Sequence, residues 1–368
     1  MLIDSFMPVK IISGKDCLMK NGSLLKKFGS KCLIVTGRAS AVKSGALDDV
    51  KKVLEDNGIL YEIFDEIEPN PQTVTCKKAG DFAISVNADF IFGIGGGSVL
   101  DASKAVAIYA KHPSLLHSEI YNRKTPAEHL PVILLGTTAG TGSEVTGVSV
   151  LTNSDNGLKK SISGADCYAE ISFCDYKYTA SASVETKIST ALDAFAHAVE
   201  AYVANSSNHM SEIYSLTAIS VLRNYVISED IWNNLNEREL EELYIASIYA
   251  GLAINIAGTC FPHTVGYFLT ENHNVPHGKA CASLMPELLL RTKKYCPEKL
   301  EAILDCMNTD IDTLILYMKK LSCVTVSENP ELISGISLRW KDGVKNFDRT
   351  PGGFCYTDAE TALKNIIC

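Results

Sequence analysis

The chain has no C-x-x-C spacing among its twelve cysteines, no excess of positive charge, no internal repeat and no run approaching about 18 uninterrupted apolar residues. Each absence excludes something. Cysteines scattered from Cys17 to Cys368 without paired spacing argue against a disulfide framework and for reduced thiols. Lys and Arg total 34 against 43 Asp and Glu, a formal charge of −9 with no long acidic block, which disfavours a nucleic-acid surface. The opening MLIDSFMPVK has neither a basic n-region nor an apolar h-region. The expectation is a cytoplasmic protein with neither membrane nor nucleic acid among its partners. With 46% hydrophobic and 21% charged residues the composition is that of a folded globule, and 368 residues allow about two domains at roughly 150 residues each.

What is present is a repeating order of short β-rich run, glycine or polar turn, and helical stretch from residue 31 onward, the pattern of an α/β parallel sheet. KCLIVTG (31–37), LYEIFDEI (60–67), ADFIFGIGGG (88–97) and LPVILLGTT (130–138) read as strands, several of them nearly continuously apolar, as buried parallel strands are. Residues 44–58, 73–86 and 98–109 read as the intervening helices, with Gly58 as a C-terminal stop. FMPVKIISG near the start reads as an edge strand that needs cover. After about residue 180 the long helical patterns 184–204, 211–226 and 237–257 succeed one another with few strand signals. The expected division is an α/β domain over 1–180 and an all-α domain over 181–368, with the boundary in YKYTASASVE (176–185).

Two loops carry phosphate-binding chemistry. Gly95-Gly96-Gly97-Ser98 lies where a buried strand turns into a helix, so the backbone can approach a ligand without Cβ clashes and the helix start offers free N–H groups. Ser98 can cap the helix or donate to phosphate, and Asp101 and Lys104 follow one turn apart. The dinucleotide fingerprint G-x-G-x-x-G is absent, since Ser98 stands where Gly93 and Gly95 require a third glycine. The second loop, Thr137-Thr138-Ala139-Gly140-Thr141-Gly142-Ser143-Glu144, closes the next strand with hydroxyls and glycines. Two such loops at the carboxyl ends of strands in one open sheet build a crevice suited to a nucleotide.

A metal constellation follows. Asp193 and His197 are spaced i, i+4 and project from one helix face. His263 and His277 each follow a proline, Pro262 and Pro276, which places them at or near helix starts. One carboxylate and three imidazoles suit Fe²⁺ or Zn²⁺ better than Mg²⁺ or Ca²⁺. On spacing alone His273 could replace His277. Cys260 and Cys281, near these ligands in sequence, read as small buried hydrophobes.

These segments resemble the iron-containing alcohol dehydrogenase family, with its dehydroquinate-synthase-like fold. Phe6, Pro8, Ile11 and Gly14 match its opening pattern, and GGGSxxDxxK, TTxGTGSE, DAxxHAxE, PHGxA and the terminal TPGGF (350–354) follow in order across nearly the whole chain. The resemblance implies an N-terminal Rossmann-like domain, a helical domain, and NAD(P) and metal in a cleft between them. It assigns the ligands to Asp193, His197, His263 and His277, whose interval of 14 (277 − 263) agrees with the family and decides against His273. Gly95, Gly96, Gly97, Ser98, Asp101, Thr137, Thr138 and Thr141 then surround the cofactor. The reaction implied is hydride transfer between a small alcohol or diol and its aldehyde, in a homodimer.

Cofactor choice turns on the end of the first strand. NAD-preferring relatives tend to carry Asp where this chain has Gly37; here Arg38 and Ser40, with Lys43 beyond, offer a cation and a hydroxyl to a 2′-phosphate, so NADP(H) is expected over NAD(H). Many family members place a proton-relaying histidine four residues after the third ligand, where this chain has Tyr267; Tyr267 and His273 are the relay candidates, and Tyr267 in GYFL also reads as a packing aromatic. The competing readings are a glycerol-dehydrogenase-like or lactaldehyde-reductase-like enzyme using NAD(H), a dehydroquinate-synthase-like lyase, and a non-catalytic nucleotide- and metal-binding protein.

Overall fold

The computed structural model describes residues 3, 5–324, 326, 327, 333–335 and 338–367. The chain forms two compact units. One contains Met7–Ser183 together with Asn236–Tyr244; the other contains Val184–Leu235 and the chain from Ile245 onward, with the N-terminal segment up to Phe6.

The first unit is built on a parallel sheet, six-stranded among the described residues, in the order β1-β8-β5-β4-β2-β3. Its strands are β1 (Lys10–Ser13), β2 (Lys31–Thr36), β3 (Leu60–Phe64), β4 (Phe90–Gly95), β5 (Val132–Gly136) and β8 (Ile171–Cys174). Alternation along the strands makes two apolar faces. Leu33, Val35, Ile91, Val132 and Leu134 pack beneath the helices Thr73–Ser85 and Gly97–Lys111. Cys32, Ile34, Phe90, Phe92, Ile133 and Leu135 pack beneath Ala46–Asp56. A strand buried on both faces has no polar side to show, which is why these runs are continuously apolar.

β2 and β4 are neighbours, yet the chain leaves β2 toward β3 and leaves β4 toward β5 in the opposite direction. This reversal opens a crevice at the carboxyl ends of β2 and β4, the usual ligand position of an open parallel sheet. β1 is an edge strand, pairing with β8 alone. A hairpin of β6 (Val148–Thr152) and β7 (Lys159–Ser163) has no counterpart in the sequence reading, and neither has β8. β7 reads KKSIS, with too little apolar content to announce a strand; its partner and the Asn156-Gly157 turn make it one.

The second unit is helical. Val184–Val203, buried nearly all round, packs against His209–Val226 and His277–Tyr295, and the latter packs against Phe261–His273 and Ile311–Ser322. Pro262 lies in the first turn of Phe261–His273 and Pro276 immediately precedes His277–Tyr295, so both histidines occupy the first turn of a helix.

One buried cation ties the first unit's loops to its sheet. Lys104 is fully buried, and its ammonium donates to Ser143 Oγ (2.9 Å), the Thr146 carbonyl (3.0 Å) and the Val148 carbonyl (2.7 Å), with Asp101 at 3.7 Å. Burial lowers its pKa, opposed by Asp101. Replacing it with alanine would leave Asp101 without its counter-charge and take the Lys104 donor from two carbonyls. We expect Lys104→Ala to lower unfolding stability by about 3–5 kcal/mol, measured by urea denaturation.

Candidate functional site

The two sequence-predicted loops meet at the carboxyl end of the sheet. β4 ends at Gly95, Gly96 precedes the helix Gly97–Lys111, and Thr137 after β5 donates its N–H to the Gly95 carbonyl at 2.9 Å. A Cβ on Gly96 would lie 3.2 Å from Thr138 Oγ1, and one on Gly97 would lie 2.5 Å from Thr141 Cγ2. Glycine is therefore what lets the loops close on each other. The helix starts at this junction, and the free N–H groups of a helix start suit an anion. Ser98 does not cap the helix; its hydroxyl accepts from the Asn70 N–H at 3.2 Å. Thr137 Oγ1 is buried with no hydrogen-bond partner among the described residues.

Asp101 holds the second loop in place. One carboxylate oxygen accepts from Ser143 Oγ (2.6 Å) and the other from the Val150 N–H (2.8 Å). Glu144 continues the network, accepting from the Tyr244 hydroxyl at 3.0 Å. At the end of β2, Gly37 is close-packed on one side, where an added Cβ would come within 2.9 Å of the Ile67 carbonyl oxygen. On that side there is no room for a ligand. Arg38 is exposed, and among the described residues its side chain makes no ion pair or hydrogen bond; Ser40 is half-buried and Lys43 exposed.

The second unit brings together Asp193, His263, His277 and Cys281, whose donor atoms all lie within 4.8 Å of one another. Asp193 Oδ1 is 3.5 Å from His263 Nε2 and 3.8 Å from His277 Nε2. The His197 ring, one turn after Asp193, stacks on the His263 ring with centroids 4.3 Å apart. Of the two candidates near the helix junction, His277 lies in this group, whereas His273 packs its ring against Phe268. Tyr267 stacks its ring on His277 at 5.4 Å. Cys260 and Cys281 are both fully buried, as small hydrophobes are, but the Cys281 sulfur also faces the donor group.

Glu200 is the residue that sequence reasoning carried only as a letter in a motif. Fully buried, it accepts from His263 Nδ1 at 2.6 Å through one oxygen and from the Cys260 N–H at 2.8 Å through the other. A carboxylate can only accept, so Nδ1 carries the proton and the Nε2 lone pair is left for another partner. Its position i+7 from Asp193, on the same helix face as His197, was the available signal. Burial pushes the Asp193 carboxyl up, but His197, His263 and His277 outweigh that, and it ionises below the usual carboxylate range. Asp193 Oδ1 and His263 Nε2 are buried with no hydrogen-bond partner among the described residues, though they face each other. A carboxylate oxygen and an imidazole nitrogen turned toward one gap, neither within a good hydrogen bond, fit a cation between them. Gly278 completes the packing: a Cβ there would lie 2.9 Å from Asp193 Cβ, so glycine lets the His277 helix sit directly on the Asp193 helix.

Comparison with known proteins identifies the family. Residues 8–176 match the profile described as iron-containing alcohol dehydrogenase, and residues 187–324 match that of the C-terminal part of the same family. A 1,3-propanediol dehydrogenase of Klebsiella pneumoniae is 32% identical over 343 residues, covering 92% of this chain and 86% of that one. A long-chain-alcohol dehydrogenase of Geobacillus thermodenitrificans is 29% identical over 303 residues, covering 82% and 76%. The crystal structure of an iron-containing alcohol dehydrogenase from Thermotoga maritima superposes with a TM-score of 0.92 at 32% identity, covering 100% of this chain and 99% of that one. Matches running through both units, together with this sheet and helical architecture, make the chain a member of the iron-containing alcohol dehydrogenase family and an oxidoreductase.

Proposed function

We propose that the protein interconverts a small alcohol or diol and its aldehyde with NADP(H), using one divalent ion, iron or zinc, on Asp193, His197, His263 and His277. The observation that carries the metal reading is the pair of buried, unpartnered donors, Asp193 Oδ1 and His263 Nε2, turned toward each other at 3.5 Å. When bound, the ion supplies a Lewis acid for the substrate oxygen, and the nicotinamide supplies or accepts the hydride. The chain's own residues prepare that chemistry. Glu200 holds the His263 proton on Nδ1, keeping the donor nitrogen basic and oriented. Asp193 stays ionised because three imidazoles surround it. Gly95, Gly96, Gly97 and Ser98 hold the cofactor phosphates, while Thr137, Thr138 and Thr141 line the adjoining loop and Asp101 fixes that loop from behind. A small substrate class is supported by the 1,3-propanediol dehydrogenase resemblance at 32% identity, although the long-chain relative shows that the family spans other lengths.

The metal assignment predicts that His263→Ala loses bound metal and turnover together, by metal analysis of the purified protein and assay of aldehyde reduction. Full metal content with full activity in that variant would sink it. Glu200→Gln should weaken metal retention by about 10–100-fold, read by competition with a chelator.

For the cofactor, the exposed and unpaired Arg38 is the cation available at the end of β2, with Ser40 beside it. A 2′-phosphate can take both. Gly37→Asp is a poor probe, because its Cβ would press on the Ile67 carbonyl. Arg38→Asp tests the idea without that clash. Wild type should favour NADPH over NADH by about 10–100-fold in kcat/KM, and Arg38→Asp should erase or invert the ratio. A wild-type preference for NADH, or an unchanged ratio in the variant, contradicts it.

A further inference from the structure

TPGGF (350–354) contains none of the metal donors, yet it closes on the helix that carries one of them. The helix Phe261–His273 begins without a side-chain cap of its own: Cys260 stands at the cap position and makes no capping hydrogen bond. The first N–H groups of a helix have no partner within it. Here they are met from elsewhere in the chain. Glu200 accepts from the Cys260 N–H at 2.8 Å, Thr350 Oγ1 accepts from the Phe261 N–H at 3.1 Å, and Pro262 has no N–H to satisfy. Thr350 is fully buried, and its hydroxyl donates to the Asn346 carbonyl at 2.8 Å. The Asn346 side chain in turn donates to Thr259 Oγ1 at 2.8 Å. Further along, the Phe354 ring stacks on the Phe261 ring with centroids 4.1 Å apart and planes within 5°. Arg291, on the helix His277–Tyr295, fastens the segment: Nε donates to the Pro351 carbonyl at 3.0 Å, Nη2 to the Gly353 carbonyl, and the guanidinium lies over the Phe354 ring at 5.2 Å. Phe261, gripped at its N–H and at its ring, lies two residues before His263. His263 is thus held at its ring by Glu200 and at its backbone by a segment 89 residues further along the chain from Phe261.

We propose that residues 346–354 are a latch for the metal centre in which Thr350 is a positioning residue: its hydroxyl fixes the first turn that carries His263 and so preorganises that histidine for a bound ion. The inference rests on the metal reading above and leaves its donor set unchanged. Without the hydroxyl the Phe261 N–H loses its partner, the first turn is free to fray, and the backbone from which Glu200 orients the His263 ring is no longer fixed. Removing a group that places a ligand costs about 10–100-fold in metal affinity. Coupling of this kind is reciprocal, so a bound ion holds the latch as firmly as the latch holds the ion.

Zn²⁺ affinity, by competition with a chromophoric chelator, and urea unfolding of the metal-free full-length protein separate positioning from plain stabilisation. Thr350→Val keeps the shape of the side chain and removes its hydroxyl; it should bind Zn²⁺ about 10–100-fold more weakly than wild type, and Thr350→Ser should restore most of that affinity. A purely structural role lowers the urea midpoint of the metal-free protein and leaves the affinity of its folded form unchanged, and that result overturns the proposal. So does Thr350→Ser binding as weakly as Thr350→Val. Hydrogen–deuterium exchange of the wild type decides the matter where Thr350→Val does not fold. Zn²⁺ should slow exchange in peptides spanning 346–354 and at Phe261, and equal rates there with and without Zn²⁺ overturn the latch while leaving the metal centre standing. Failure of the wild type to bind Zn²⁺, or binding that Asp193→Ala leaves unchanged, overturns the metal reading and this inference with it.

Discussion

A histidine is a metal donor only through a nitrogen that carries no proton, and in this protein one buried carboxylate settles which nitrogen that is. The 2.6 Å contact between Glu200 and His263 Nδ1 turns Nε2 toward Asp193, while the second Glu200 oxygen takes the Cys260 N–H just before the helix that carries His263. Ring orientation and helix start are thus fixed by one side chain. Asp193, His197 and Glu200 are spaced i, i+4, i+7, so a single face of Val184–Val203 supplies a carboxylate donor, an imidazole and the group that aligns a second imidazole. The remaining elements have only to deliver His263 and His277 in their first turns, and Gly278 allows the His277 helix to come close enough to do so.

The first unit shows the complementary arrangement, in which charge is buried in order to be satisfied. Lys104 donates to three oxygens, both Asp101 oxygens accept, and Glu144 accepts from Tyr244. A network with each member paired rigidifies the second loop against the helix that follows the first. That rigidity keeps the helix start and the threonine loop in one place at the carboxyl end of β4 and β5, where a flexible glycine segment alone would wander.

Much of this was legible in the sequence where burial writes a simple pattern. β2, β4 and β5 announce themselves because both their faces are covered, and the helices 46–56, 73–85 and 97–111 follow from period and glycine stops. β7 was illegible because KKSIS is half exposed and acquires its strand character from its partner. The Asp193 and His197 pair could be read from helix spacing, but the choice between His273 and His277 could not, since a loop separates two helices and spacing says nothing across it. Cys260 and Cys281 read as small buried hydrophobes, and both are fully buried. The close packing of Gly37 was illegible, because sequence shows a missing side chain and not the Ile67 carbonyl beside it.

Unpaired buried polar atoms are what separate the ligand-binding loci from the structural ones, though only when they converge. Ser215 Oγ is also buried without a hydrogen-bond partner among the described residues. A single orphaned hydroxyl in a helix costs about 1–3 kcal/mol and is tolerated within the stability of a large domain. Asp193 Oδ1 and His263 Nε2 are different in kind, because they converge at 3.5 Å on one gap, and a helix face, a carboxylate brace and a missing Cβ are all arranged to hold them there. A cation bound there would meet a carboxylate and an imidazole already oriented, the preorganised electrostatics that metal-assisted catalysis uses.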